Sequence, residues 1–323
     1  MEAPQNLATV ATKLVEAIAI NSIAEKTRGK RTVIRKRRNI HSEQLAELTN
    51  LYFRVAGIPI RFWSKVEDWQ RWEIDCFEML NGDHFEARKS GPRTVILDKV
   101  PGESLWEHVN RGTLTRRMLR AAAMELHRAH QFWSDEFRGG WSHGDASVTN
   151  VIYEAKTNRA RLIDFEIYHE KSLSVVARQA DDLLVFLLDL VGTLPTRQWL
   201  PFATTFLGAY PEHEVIAQLQ QQLDLPGGLA WIWWGVRTNF TNPAKVKRRL
   251  SNLSRAIGKL KLYDTAVSAR ARNKRRPSIN CHAIRPGIPK PSSRTRAMTD
   301  NAKPISPHLE GSFAMPRTQA RTT

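Results

Sequence analysis

Along most of this chain apolar residues recur every three or four positions, and strict alternation is confined to a few short runs. Leu7, Val10, Leu14, Ala17 and Ile18 predict a short amphipathic helix within residues 5–25. The basic run Lys26 to Arg38 contains Thr32-Val33-Ile34, which predicts an edge strand. Ser42 stands where an N-cap belongs, ahead of Leu45, Leu48, Leu51, Tyr52 and Val55, and Gly57 and Pro59 end that helix. A second helix is predicted over 67–80, with Trp69, Trp72, Cys76, Phe77 and Leu80 on one face and Asn81-Gly82-Asp83 as its stop. Phe85-Glu86-Ala87 and residues 93–100 read as paired strands, and Pro101-Gly102 breaks the second. Helical spacing then returns over 104–110, 115–132, 175–191, 201–210, 212–223 and 229–236, interrupted by a hairpin of Val151-Ile152-Tyr153 with residues 161–164. From about Thr265 the periodicity gives way to Arg, Lys, Ser, Thr and Pro, a composition with too little apolar surface to offset the entropy of ordering.

A strand-bearing first third followed by helices predicts an α+β, bilobal molecule. The expected divisions are a helix or flexible arm over 1–25, a small lobe over 26–101, a helical lobe over 102–264 and a basic disordered tail over 265–323, with a hinge near Asp98 to Gly102.

Charge changes this picture only at the ends. The net charge of +17 suggests a nucleic-acid binder, yet residues 1–38 and 261–323 carry nearly all of it, and the middle has 27 basic against 26 acidic residues. A neutral middle offers no folded basic face, so nucleic acid is not expected as the main partner. Basic ends suit peripheral contact with an anionic membrane surface instead. Cys76 and Cys281 are too few and too far apart for a disulfide framework or a cysteine-based zinc site. No apolar run reaches the roughly 18 residues of a membrane span. These features, and an N-terminus without the order of a secretory signal, predict a cytoplasmic protein.

Candidate chemistry lies in residues 141–166, WSHGDASVTNVIYEAKTNRARLIDFE. Asp145 precedes Asn150 by five positions, and Asp164 follows the hairpin. This is the spacing of a phosphoryl-transfer site, in which one Asp accepts the proton of the attacking hydroxyl while an Asn and a second Asp hold Mg²⁺ against nucleotide phosphates. Amide and carboxylate oxygens are hard donors suited to that ion. Asp145 is therefore the candidate base, Asn150 and Asp164 the candidate metal ligands, and His143 a candidate bridge between the two loops.

His143-Gly-Asp-Ala-Ser-Val-Thr-Asn150 with Leu162-Ile-Asp-Phe-Glu166 resembles the catalytic and metal-binding loops of the atypical protein-kinase-like phosphotransferases. That group includes the aminoglycoside and choline phosphotransferases, the RIO-type kinases and the lipopolysaccharide-core sugar kinases. The run from Thr94 to Leu105 is similar to their hinge strand and the Pro-Gly turn after it, which implies that Asp98 and Val100 border the nucleotide. Ala180-Asp-Asp-Leu183 is similar to the helix start where such proteins place a structural Asp, here Asp181 or Asp182. The resemblance implies ATP and Mg²⁺ as cofactors and a Lys–Glu pair in the small lobe. Glu73 matches the Glu. Lys36 is the first choice of partner, although 37 residues separate them, and Lys65 is the alternative. Glu166 in place of the usual Gly, and a path of seventeen residues or so to Asp182, leave no room for a peptide-docking segment. A small-molecule or glycan acceptor follows, with a lipopolysaccharide-core sugar favoured.

Other readings stand beside this one. Before Gly57 the only glycine is Gly29, so no Gly-rich phosphate loop is visible, as in a pseudokinase scaffold. Trp231, Trp233 and Trp234 read as core packing before a sugar-stacking platform, Trp133 and Trp141 near the 143–150 loop are slightly better candidates for touching an acceptor, and Lys245 to Arg249 reads as a solvated helix face. Oligomeric state leaves no sequence signal.

Overall fold

The computed structural model describes residues 20–29 and 31–274. Strands β1 (Asn21–Arg28) and β2 (Arg31–Arg38) form a hairpin that turns at Gly29, whose φ of +64° a residue without Cβ adopts at no steric cost. The period-two alternation of β2 buries Lys36 and Arg38 and exposes Arg37. Helix α1 (Ser42–Val55), strand β3 (Ile60–Phe62), helix α2 (Val66–Asn81) and strands β4 (Ala87–Lys89) and β5 (Thr94–Asp98) follow. The first sheet is antiparallel throughout, in the order β1-β2-β5-β4, with Val33 opposite Asp98 and Arg37 opposite Thr94.

Two expectations are corrected here. Thr32-Val33-Ile34 lies inside the sheet and not at its edge, because β1 covers its outer side. Residues 21–25, expected in a helix, belong to β1; residues 5–19 of that expectation lie outside the described residues. Most of β1 is exposed, and Ile23 is 60% accessible. The strand is held by its ladder to β2 without a buried face of its own, so it carries no period-two signal.

The chain crosses to the helical part at Gly102. Its φ is +114°, and a Cβ there would lie 2.3 Å from the Tyr153 carbonyl oxygen, so only glycine fits. Strand β6 (Glu103–Ser104) pairs with the later hairpin, and Ser104 then caps α3 (Leu105–Asn110) through a capping box with Glu107. Helix α4 (Arg116–His130) precedes the short pair β7 (Trp133–Ser134) and β8 (Gly139–Gly140). A 3-10 turn at Val148–Asn150 leads into the hairpin β9 (Val151–Glu154) and β10 (Arg159–Leu162), then β11 (Ile167–His169). Strand β11 pairs with β3, which ties the segment after Asp164 to the N-terminal part.

Helix α5 (Val175–Thr193) is apolar and buried nearly all round from Leu183 to Leu188, as the central helix of a bundle must be. Helices α6 (Trp199–Leu207), α7 (His213–Gln221), α8 (Ala230–Arg237) and α9 (Pro243–Lys274) complete the described fold. The result is the α+β class that the sequence implied: a sheet-containing N-terminal part and a helical C-terminal part.

Helix α9 runs through residues 265–274, where the tail was expected to have begun; Ala, Arg and Lys, which recur there, have high helix propensity. The rest of that expectation, 275–323, lies outside the described residues. Arg249 departs from the solvated-face reading of its basic run: it is buried, donates to the Val191 carbonyl oxygen at 2.5 Å and lies over the Trp199 ring. A guanidinium at the last turn of α5 satisfies a carbonyl that the helix cannot. Among the described residues no helix is long and apolar enough to cross a membrane.

Candidate active site

Lys36 enters the site from the inner face of β2. Its Nζ donates to Glu73 Oε1 of α2 at 2.8 Å, contacts Asp164 Oδ1, and lies 3.5 Å from Glu166 Oε1. Lys36 is thus the partner of Glu73. Lys65 lies at the N-terminus of α2 instead. The long gap between Lys36 and Glu73 holds α1 and β3. Glu73 also accepts the Phe165 amide on Oε2 at 3.2 Å, so one buried carboxylate joins the Lys to the loop that bears Asp164.

Three carboxylates around one ammonium set the electrostatics. Burial opposes the charge of Lys36, but Asp164, Glu73 and Glu166 outweigh it and hold the ammonium well above its usual range. Burial raises Glu73, and the charge of Lys36 partly offsets that rise. Asp164 also pays for burial, yet Lys36 brings it below the ordinary carboxylate value. Glu166 is pushed up to about 7, by burial first and then by the charge of Asp164, and Asn21 donates to its Oε1. The cluster therefore has more carboxylate than cation.

The loop that bears Asp145 is held differently. Gly144 has φ +83°, and a Cβ there would meet the Ile167 carbonyl oxygen at 3.0 Å. Asp182 of α5, fully buried, accepts the His143 amide at 2.7 Å and the Gly144 amide at 2.8 Å. His130 Nε2 lies 3.0 Å from the same carboxylate, and His130 Nδ1 is 2.7 Å from the Tyr210 hydroxyl. Burial opposes ionisation of Asp182, but the His130 hydrogen bond and neighbouring histidines leave its pKa lowered. Of the two candidate structural residues, Asp182 is the one that fixes the loop. Asp181 pairs with His169.

His143 bridges the two loops: its Nε2 is 3.0 Å from the Ile163 carbonyl oxygen, and its Nδ1 accepts the Asp145 amide at 3.3 Å. That pattern requires the neutral ring with its proton on Nε2. Phe165 packs against His143 at 5.1 Å and Trp141 at 5.9 Å between ring centroids. Asn150 donates from Nδ2 to the Asp145 carbonyl oxygen at 3.0 Å, which leaves its Oδ1 available as an acceptor. Asp164 sits in the left-handed region with φ +70°, a conformation that Asp tolerates better than most residues.

These groups fit a hard divalent cation. Asp164 and the Asn150 amide oxygen are oxygen donors, and the neighbouring excess of carboxylate over Lys36 favours positive charge. Asp98 and Val100 lie at the end of β5 and just after it. The Asp98 carboxylate accepts the Glu86 amide at 3.1 Å, and its own amide donates to the Glu86 carbonyl oxygen, so both serve the β4–β5 ladder. Val100 is buried in the main core.

The sequence reading missed Arg237, at the end of α8. Its Nη1 is 2.5 Å from Asp145 Oδ1, and its guanidinium lies over the Trp233 ring at 4.4 Å. Asp189 of α5 accepts the Val148 amide at 2.8 Å, and burial pushes its pKa up to about 7 against the opposing charge of Arg237. No local motif marks either residue. Trp233 also takes the edge of Phe53, at 5.0 Å, so it is packed, as are Trp231 and Trp234 against the main core. Trp141 is buried and unavailable for stacking, whereas Trp133 is 65% exposed. A surface cavity of about 650 Å³ beside α4 and β10, lined by Arg117, Arg120, His127, Arg128 and Arg159, contains none of the candidate residues.

The described fold is α+β, with a sheet-bearing N-terminal part and a helical C-terminal part. No protein-family model matches the chain, and no curated protein matches it. Among solved structures it is similar to the erythromycin complex of Rv3197 from Mycobacterium tuberculosis, at 16% identity and a TM-score of 0.32 over 62% of this chain; the match spans 63% of that protein, less than two thirds of its length. It is similar to an ethanolamine kinase from Plasmodium vivax, at 10% identity and a TM-score of 0.36 over 77% of this chain and 85% of that one. The ADP-bound aminoglycoside phosphotransferase APH(2'')-Ib is similar at 12% identity and a TM-score of 0.37 over 79% of this chain and 97% of that one.

Proposed function

We propose that the chain is a phosphotransferase that moves the γ-phosphoryl group of ATP, with Mg²⁺, to a hydroxyl of a small-molecule or glycan acceptor. The convergence of Lys36, Glu73 and Asp164, from two elements and a loop distant in sequence, carries this reading. Bound Mg²⁺ supplies charge that neutralises phosphate oxygens. Asp164 and Asn150 would hold it. Lys36, oriented by Glu73, would face the phosphates.

Asp145 is the base. Its Oδ1 is buried against Arg237, so the exposed part of the carboxylate presents Oδ2 to an acceptor hydroxyl. His143 and Asp182 keep the loop rigid, which matters because most of the catalysis is positioning. The test is ADP release from Mg·ATP across a panel of sugars, amino alcohols and lipopolysaccharide, read with mass shift of the acceptor. Asp145→Asn lowers turnover by roughly 10²–10⁴-fold while Mg·ADP still binds. Background rates on every acceptor in both proteins, together with nucleotide binding, favour a scaffold instead.

Two finer readings belong here. A lipopolysaccharide-core sugar is supported by the sequence resemblance. Peripheral contact with an anionic membrane is supported by charge confined to the ends, where each Lys or Arg near the lipid contributes about 1 kcal/mol. Loss of binding to anionic liposomes on deletion of residues 275–323 is the expected outcome, and unchanged binding removes that reading.

A further inference from the structure

Arg237 has more donors than its surroundings use. It is 9% exposed; its Nη1 contacts Asp145, and the buried Asp189 carboxylate also interacts with its charge. Nε and Nη2 are buried without a hydrogen-bond partner. Those two nitrogens form the side edge of the guanidinium, whose parallel N–H groups match two oxygens of a phosphate or carboxylate. Two other buried arginines in the helical part reach the main chain: Arg178 donates to the Leu173 and Gly140 carbonyl oxygens, and Arg249 to the Val191 carbonyl oxygen. Arg237 makes no such bond. A buried charge with an unpaired fork of donors calls for an explanation, and a ligand is one of the few available.

Its placement is built into the fold. A Cβ on Gly192 would lie 2.5 Å from the Thr238 carbonyl carbon, so glycine at that point of α5 lets the end of α8 approach closely. The Thr241 hydroxyl donates to the Gly192 carbonyl oxygen at 2.9 Å, and Thr238 donates back to Trp234 at 2.8 Å. Asn239 and Phe240, both in the left-handed region, turn the chain sharply into α9. Trp233 supports one face of the guanidinium. The side chain is therefore fixed beside the base from the α8 side, away from the β2 and α2 elements that supply Lys36 and Glu73.

We infer that Arg237 is a specificity-determining residue that binds an oxyanion on the acceptor, so that the acceptor class is a hydroxyl compound that also bears a phosphate or carboxylate group. This rests on the proposed transfer reaction and narrows it. A cationic acceptor would meet Arg237 as a like charge beside Asp145, whereas an anionic one completes the fork. With one carboxylate oxygen of Asp145 clamped, the other remains for the hydroxyl proton.

The test needs no knowledge of the acceptor. Inorganic phosphate is titrated into the full chain and followed by phosphorus NMR linewidth, first with Mg·ADP saturating and then with Mg²⁺ and a non-hydrolysable ATP analogue. Wild type binds phosphate in both states, Arg237→Gln weakens it about tenfold, and Arg237→Lys falls between. Acetate run in parallel sorts the class, tighter phosphate marking a phosphate ester and tighter acetate a carboxylate. Phosphate displaced by the analogue assigns Arg237 to the transferring group and overturns the acceptor assignment. So does a wild type that binds no phosphate, or binding that Arg237→Gln leaves intact. If Mg·ADP itself does not bind, the transfer reading falls and this inference with it; if it binds and phosphate does not, this inference alone falls.

Discussion

Asp182 and Asp164 are both Asp residues with lowered pKa values inside one site, and they are held in opposite ways. Asp182 accepts two backbone amides and faces His130, so a single charge meets a full set of donors. Asp164 shares one ammonium with Glu73 and Glu166, so three acids compete for Lys36. The first arrangement is complete without a ligand and serves geometry. The second is short of positive charge and is suited to receive it. Stability and function should therefore separate when the two residues are changed.

The largest effect on folding belongs to the satisfied site. Asp182→Asn replaces an acceptor with an amide that turns N–H toward N–H, and a loss of about 3 kcal/mol in urea denaturation is expected. Transfer activity falls with it, because the His143 and Gly144 amides lose their anchor. A stable, active Asp182→Asn protein would break the comparison.

At the crowded site the sign reverses. Glu166 has its folded pKa raised from 4.5 to about 7, so the folded state keeps a proton that the unfolded chain has released. Its contribution to stability is full below pH 4.5 and is lost as pH rises through about 7. Glu166→Gln should remove that loss and raise the melting temperature at pH 8 by roughly 3 °C. An unchanged or lower melting temperature at pH 8 counts against charge crowding.

A smaller effect of the same sign is expected at Asp189, raised from 3.8 to about 7 mainly by burial. Asn there can still accept the Val148 amide, so Asp189→Asn should flatten the decline of stability between pH 4 and 7 with little change below it. An unaltered slope of melting temperature against pH would assign the decline to other groups.

How much of this was legible in the sequence follows from chain distance. Asp145, Asn150 and Asp164 share one loop and one hairpin, so their spacing alone places them. Lys36 and Glu73 were readable as a pair only by resemblance, since α1 and β3 intervene. Asp181 and Asp182 are adjacent on a helix and point about 100° apart, so packing alone chooses between them. Arg237 had no signal at all: it reaches Asp145 because Gly192 lets α8 approach α5. Strand β1 was misread because its order comes from a partner strand and not from a buried face.

The central claim is that the Lys36 cluster receives Mg²⁺ and nucleotide. It is tested most directly by calorimetric titration of Mg·ATP into wild type and Asp164→Asn, with thermal melts of both. Wild type should bind only with Mg²⁺ present, and Asp164→Asn should lose roughly 100-fold or more in affinity while remaining folded at the temperature of the titration. Equal Mg²⁺-dependent affinity in the two proteins, or a variant that binds poorly because it has unfolded, would contradict the account.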